Sequence, residues 1–178
     1  AYSHIQSFDN ADEGQAIFSY TGAVFNNMSV DELSQQQVQY LNGTLVILSA
    51  HYGVLKPFDT IKNYRLDYKM QVPSIHLKDI WADRVNEYLK DEVIINLASS
   101  EFSGMIQGNT IDIEFKELRD NTYKVVGTYA KMARGRMVHM IAKNMIEDAE
   151  DIKGFCVMGY AFNEELSSES KYVFTKEA

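Results

Sequence analysis

The side chains best suited to chemistry follow one short apolar run. Residues 45–48, Leu-Val-Ile-Leu, read as a buried strand. After it come Ser49, Tyr52, Gly53, Pro57, Asp59, Tyr64 and Arg65, with His51 among them. Polar, Gly and Pro residues crowded behind a strand end are a common way to build a site, because the strand holds the loop that carries them. Asp59 can pair with Arg65, accept a hydrogen bond from a nucleobase or ribose, or move a proton as a base. Pro57-Phe58-Asp59 is equally good turn chemistry, in which Asp59 serves only its own turn. Tyr64 is the other catalytic candidate, Gly53 serves geometry, and His51 reads as an exposed loop residue.

Two further segments offer anion chemistry. Asn96-Leu97-Ala98-Ser99-Ser100 follows an apolar strand and opens a short helix. Free N–H groups at a helix start attract phosphate or carboxylate, and small residues permit close approach. The plainer alternative is that Ser99 caps its own helix. Lys131, Arg134 and Arg136 lie on a helix whose apolar stripe holds Met137, Val138, Ile141 and Met145. At about 100° per residue Arg134 points along that stripe, whereas Arg136, His139 and Lys143 group elsewhere. A guanidinium aimed at a core must meet a carboxylate, a carbonyl or a ligand anion. Gly135 beside it costs about 1 kcal/mol relative to alanine inside a helix, which implies close backbone approach or a late helix start.

These residues need elements to hold them. The sequence predicts a strand over residues 16–20 and a helix over 30–41 capped by Ser29 with Glu32 three residues on. It predicts strands over 44–48 and 63–68, and an amphipathic helix over 77–90 with Leu77, Ile80, Trp81, Val85, Tyr88 and Leu89 on one face. A buried strand over 92–97 and a short helix ending at Met105 follow. Residues 111–115 and 123–129 alternate like an antiparallel pair joined near Asp120-Asn121. A helix over 131–145 and strands over 155–162 and 171–174 complete the chain. Helices interleaved with parallel-type and hairpin-type strands imply an α+β (mixed α/β) domain, a twisted mixed sheet flanked by helices with a strand-end cleft.

Composition narrows the function classes. The 178 residues suit one domain, and no apolar run approaches the roughly 20 residues that cross a bilayer, so no membrane partner is expected. Cys156 is the only cysteine, which rules out an intrachain disulfide, fits a cytoplasmic setting and reads as a small buried hydrophobe. The four histidines lack metal-ligand spacing, and no phosphate-binding or dinucleotide fingerprint is present, so neither metal nor cofactor is expected. A net charge of −8 disfavours nucleic acid as a first reading. However, residues 121–146 carry Lys124, Lys131, Arg134, Arg136 and Lys143 and no acid, which is enough for one basic face.

The pattern Ser49, Tyr52, Gly53, Leu55, Pro57, Asp59, Ile61, Tyr64, Arg65 and Leu66 resembles the YaaA-type peroxide-stress-resistance protein family. Segments 93–102, 129–137 and 154–167 fit the same family in the same order. The family opens with a strand and an Ile-Ser-Pro-Ala-Lys turn that this sequence lacks. The chain therefore reads as an N-terminally truncated member, one domain over residues 1–178, in which any site that lysine completes is incomplete. The resemblance implies a cytoplasmic protein that protects against hydrogen peroxide by binding DNA through a basic cleft and limiting iron-dependent damage. The anion-binding residues would be Arg65, Ser99, Ser100, Lys131, Arg134 and Arg136. The residues themselves leave open an enzyme acting on a nucleobase, nucleotide or DNA at the strand-end segment, and a small anionic or nucleotide ligand.

Overall fold

A computed structural model describes residues 8, 11–64, 66 and 76–177. Its centre is a mixed sheet built on β6 (Thr110–Arg119) and β10 (Lys171–Glu177), paired in parallel with Phe115 beside Phe174. Beyond β10 lie β9 (Tyr160–Phe162) and β8 (Cys156–Val157), both antiparallel. On its other side β6 carries two short partners. One is β5 (Ile94–Asn96), parallel, and the other is β7 (Thr122–Lys124), antiparallel. Asp120 and Asn121, both with positive φ, make the tight β6–β7 turn.

β6 alternates by design of its sequence: Ile111, Ile113, Phe115 and Glu117 face inward. The helix α6 (Gly127–Asn144) lies against that face through Ala130, Ala133 and Met137. Its opposite side packs Val138 and Ala142 against an N-terminal layer containing Ile17, Leu41, Ile47, Leu55 and Ile61. A helix buried on two sides needs small and apolar residues nearly all round, which explains the alanines along α6.

That N-terminal layer holds β1 (Glu13–Gln15), paired antiparallel with β4 (Thr60–Lys62), and the hairpin of β2 (Ile47–Ser49) with β3 (Gly53–Leu55). It also holds three helices: α1 (Ala16–Ser19), α2 (Ala23–Asn26) and α3 (Gln35–Thr44). The expected strand over residues 16–20 is therefore a helix. Ala16 and Ile17 donate their N–H groups to the carbonyls of Asp59 and Pro57, so a tertiary turn, not local propensity, sets the conformation there. The helix expected from Ser29 starts five positions later. Ser34 makes a capping box with Gln37, while Ser29 sits at φ 44 before a 3-10 turn and accepts from Arg136 instead.

The fourth helix, α4 (Leu77–Tyr88), buries Val85 and packs Leu77 and Trp81 against the β2–β3 hairpin's apolar side, but Ile80 and Tyr88 are exposed. A short α5 (Ser100–Ser103) ends before Met105. The antiparallel partner of β6 stops at Lys124, because residues from Gly127 onward wind into α6 to bury Ala130. Cys156 is exposed rather than buried, since the alternation of β8 turns Val157 inward. Met145, placed on the apolar stripe by sequence, caps α6 in the left-handed conformation and is exposed. Of the strand expected over residues 63–68, Asn63, Tyr64 and Leu66 are described and lie outside any strand, since β4 ends at Lys62, and residues 65, 67 and 68 lie outside the described residues.

Glu117 is the one acid on the inner face of β6, and it is 2% exposed. Tyr160 donates to its Oε1 at 2.8 Å, Arg119 donates through Nε and Nη2 to Oε2, and Lys176 stands 3.2 Å from Oε1. Burial pushes this carboxyl up, but the bonds from Tyr160, Arg119 and Lys176 outweigh it and hold it below the usual carboxylate range. A lowered folded value means that the stabilisation is complete above the unfolded value and is lost as pH falls through the folded one. Glu117→Gln is expected to lower stability at pH 7 by about 2 kcal/mol and to flatten the loss of Tm on acidification below about pH 4. Thermal melts of both proteins across that range measure it. Parallel acid profiles would show that Glu117 is not a main acid-sensitive group.

Candidate functional site

The strand-end segment folds around a chain of hydroxyls. Ser49, the last residue of β2, is buried, and its Oγ accepts from the N–H groups of His51 at 3.2 Å and Tyr52 at 3.0 Å. The same Oγ shares a 2.5 Å hydrogen bond with the Tyr64 hydroxyl, which bonds the Tyr20 hydroxyl at 2.7 Å. Tyr52 closes the other flank by accepting from the Lys62 N–H at 2.9 Å. Burial pushes the Tyr20 phenol well above its ordinary value, although its bond to Ser49 pulls the other way. The Tyr20 phenol therefore stays protonated, and the chain works as a fixed set of donors and acceptors.

His51 is exposed, as its loop position suggests, yet it is not isolated. The rings of Phe8, Tyr52 and Tyr64 lie 5.0, 4.6 and 5.0 Å from its own. These rings desolvate part of it, and that lowers its pKa. Sequence reading set His51 aside because a lone loop histidine carries no signal of its neighbours.

Asp59 is exposed, and its Oδ2 accepts from the Lys56 N–H at 2.8 Å while Pro57 is buried beneath the turn. The carboxylate thus closes a turn whose carbonyls hold α1. Arg65 lies outside the described residues. Gly53 has φ +77, and the Trp81 ring fills the space where a side chain would stand.

At the end of β5, Asn96 is buried and bridges two segments. It donates to Asp112 at 2.6 Å and accepts from the Ala98 N–H at 3.0 Å. Ser99 occupies the N-cap of α5 but makes no side-chain cap bond, and Ser100 is exposed. Leu97 packs against both the sheet core and the N-terminal core, which also takes Tyr52, so the two segments share one apolar support.

The cations of α6 part company. Lys131 is exposed. Arg134 is half-buried, and its Nε is enclosed without a hydrogen-bond partner among the described residues. Desolvation lowers its pKa and the Glu114 carboxylate partly restores it. Arg136 leaves the helix on another side, donates to Ser29 at 3.0 Å and stands 3.9 Å from Glu32. His139, buried beside it, donates from Nδ1 to the Met28 carbonyl at 2.9 Å. Arg136 and His139 thereby strap the Val30–Glu32 turn to α6. Gly135 lies against the Val24 carbonyl of α2, the close backbone approach that its presence in a helix implies.

Sequence reading missed Asp112 and Glu114, although the alternation of β6 held the signal: with Ile111, Ile113 and Phe115 inward, they face away from the core. Among the described residues no three His, Cys, Asp or Glu side chains gather in a way that holds a metal ion. No helix there is long and apolar enough to cross a membrane.

The arrangement defines a class: a mixed α+β protein whose polar strand ends and cation-bearing helix share one core. More specifically, the chain belongs to the family described as peroxide stress protein YaaA, whose profile matches residues 1–166. A UPF0246 protein of Rickettsia rickettsii is 39% identical over 183 residues, covering 96% of this chain and 74% of the relative. One from Fusobacterium nucleatum is 38% identical and covers 98% and 74%. One from Francisella philomiragia is 36% identical and covers 96% and 73%.

Proposed function

We propose that this chain protects cells from peroxide by binding DNA in the cytoplasm through the cations of α6, so limiting iron-dependent damage to that DNA. The observation that carries the reading is the run of five cations without an acid over residues 121–146, in a chain of net charge −8. Lys131 and Lys143 of that run are exposed. Arg134, half-buried, adds its positive charge to that helix. Phosphates neutralised by such side chains release counterions, which makes binding fall steeply with salt. Arg136, already engaged by Ser29 and Glu32, contributes less than its charge suggests.

The test is a salt titration of duplex DNA binding with the parent chain and a Lys131→Ala, Arg134→Ala, Arg136→Ala variant. The expected result is a salt slope shallower by about 2 in the variant, one unit for each cation released to phosphate contact. Peroxide survival of cells carrying the variant should fall with it. An unchanged slope and affinity would remove α6 from the contact.

A further inference from the structure

β6 is flanked unevenly. β10 pairs with its residues 112–118 on one side. On the other, β5 reaches only residues 110–112 and β7 only residues 117–119. Among the described residues, residues 113–116 have no strand partner there. At about 3.3 Å per residue this notch is about 13 Å long, and two of its four residues turn both N–H and C=O outward. It begins where the parallel strand β5 ends, the place where open sheets with parallel strands receive ligands.

The side chains around the notch are of mixed sign. Asn96 and Asp112 stand at its β5 end, held together at 2.6 Å. Glu114 stands within it, with Oε2 bound to Lys116 at 2.7 Å. Arg134 belongs to α6, over the Ile113 and Phe115 face, yet the carboxylate that bears on it is Glu114 of the reverse face. Arg134 lies between Ala130 and Met137 on α6, one turn from each, and those two pack with Ile113 and Phe115, so it stands on the side of the helix that covers two of the notch residues. Arg134 keeps an enclosed Nε with no hydrogen-bond partner among the described residues, a costly state for a buried donor.

From this geometry we infer that the notch binds a nucleobase carrying both an exocyclic amine and a ring carbonyl, guanine or cytosine. A phosphate gains from Arg134 but is opposed by Asp112 and Glu114. A metal ion gains from the acids but is opposed by Arg134 and Lys116. A planar base of this kind suits all of them. Its amine donates to Asp112 or Glu114, and its carbonyl or ring nitrogen accepts from Arg134, the pairing by which carboxylates read cytosine and arginine reads guanine. The two outward-turned residues of the β6 edge add N–H donors and C=O acceptors beside the base. Arg134 serves both the base and the DNA phosphates, whereas Glu114 belongs to the notch alone, so Glu114→Gln, which leaves every cation of α6 in place, separates nucleoside binding from salt-dependent DNA binding.

The experiment is saturation-transfer NMR on the whole chain with guanosine, cytidine, thymidine and inorganic phosphate as separate probes. Guanosine or cytidine should show transfer and thymidine markedly less, and phosphate should not displace them. Glu114→Gln and Arg134→Lys should each weaken binding about tenfold or more, the value of one good base contact. Circular dichroism establishes that each variant is folded, and the probe panel on the unaltered chain decides the matter if either is not. Absence of transfer from both nucleosides, thymidine binding as tightly as either, displacement by phosphate, or parent-like binding in both folded variants would each overturn the assignment.

Discussion

Gly135→Ala should lower the melting temperature by about 10 °C, although alanine is the better helix former by about 1 kcal/mol. A Cβ at this position would stand 2.1 Å from the Val24 carbonyl oxygen, 2.8 Å from Asn27 Cβ and 3.0 Å from the Val24 carbonyl carbon. Two of those three atoms are backbone, so no rotamer change relieves the contact. Either α2 moves off α6 or α6 moves off the sheet. The second route strips Ala133 and Met137 from Phe115 and Phe174, and the first uncovers Val138 and Met28. Overpacking of this kind costs about 1–3 kcal/mol where side chains can yield, and more where backbone must. Gly127, at the start of the same helix, has no atom within 4 Å of the equivalent position, so Gly127→Ala serves as the control and should not destabilise. Melts of the two variants followed by circular dichroism separate packing from propensity. Equal melting temperatures would mean that α2 yields without cost.

The contrast between these glycines shows which parts of this fold a sequence carries. Local signals are legible. Alternation gives β6, four-residue spacing gives Leu77, Trp81 and Val85 of α4, and Asp120-Asn121 gives a turn. Gly135 announces a close approach, but not that Val24, over a hundred residues earlier, supplies it. Ser29 and Ser34 both have an acid or amide three residues on, yet Ser34 makes the capping box while Ser29 accepts from Arg136 of a distant helix. Glu117 breaks the inward pattern of β6 and is tolerated because Tyr160 and Lys176 arrive from distant strands. At the candidate site the same rule holds. Ser49, Tyr52 and Tyr64 are visible as a dense polar segment, whereas Tyr20 enters from α1's end, a segment whose own conformation is set by the carbonyls of Pro57 and Asp59. Partners at long sequence separation have no local signature, and they are what turn a list of polar residues into a site.

Gly53→Ala tests whether that site depends on its support, and it should cost about 3–5 kcal/mol from two sources. The first is conformation: φ at Gly53 is +77, where a side chain adds about 1–2 kcal/mol. The second is space. A Cβ would lie 2.3 Å from Trp81 Cε3, 2.6 Å from Cζ3 and 2.7 Å from Cδ2, so the indole must leave. Its Nε1 donates to the Ala50 carbonyl at 3.0 Å, and departure breaks that bond as well. Ala50 follows Ser49, and Ser49 pairs with Gly53 across the hairpin, so the disturbance falls on the residue that anchors the hydroxyl chain to Tyr64 and Tyr20. Trp81 is the only tryptophan, which makes its emission a direct report: a red shift should accompany the loss of Tm. Combining Gly53→Ala with Trp81→Leu relieves the clash but not the backbone strain. The double variant should therefore lose less than the two single losses added together, the mark of residues in contact. Additive losses with unshifted emission in Gly53→Ala would show that the indole does not hold the hairpin, and that the hydroxyl chain is fixed by its own bonds alone.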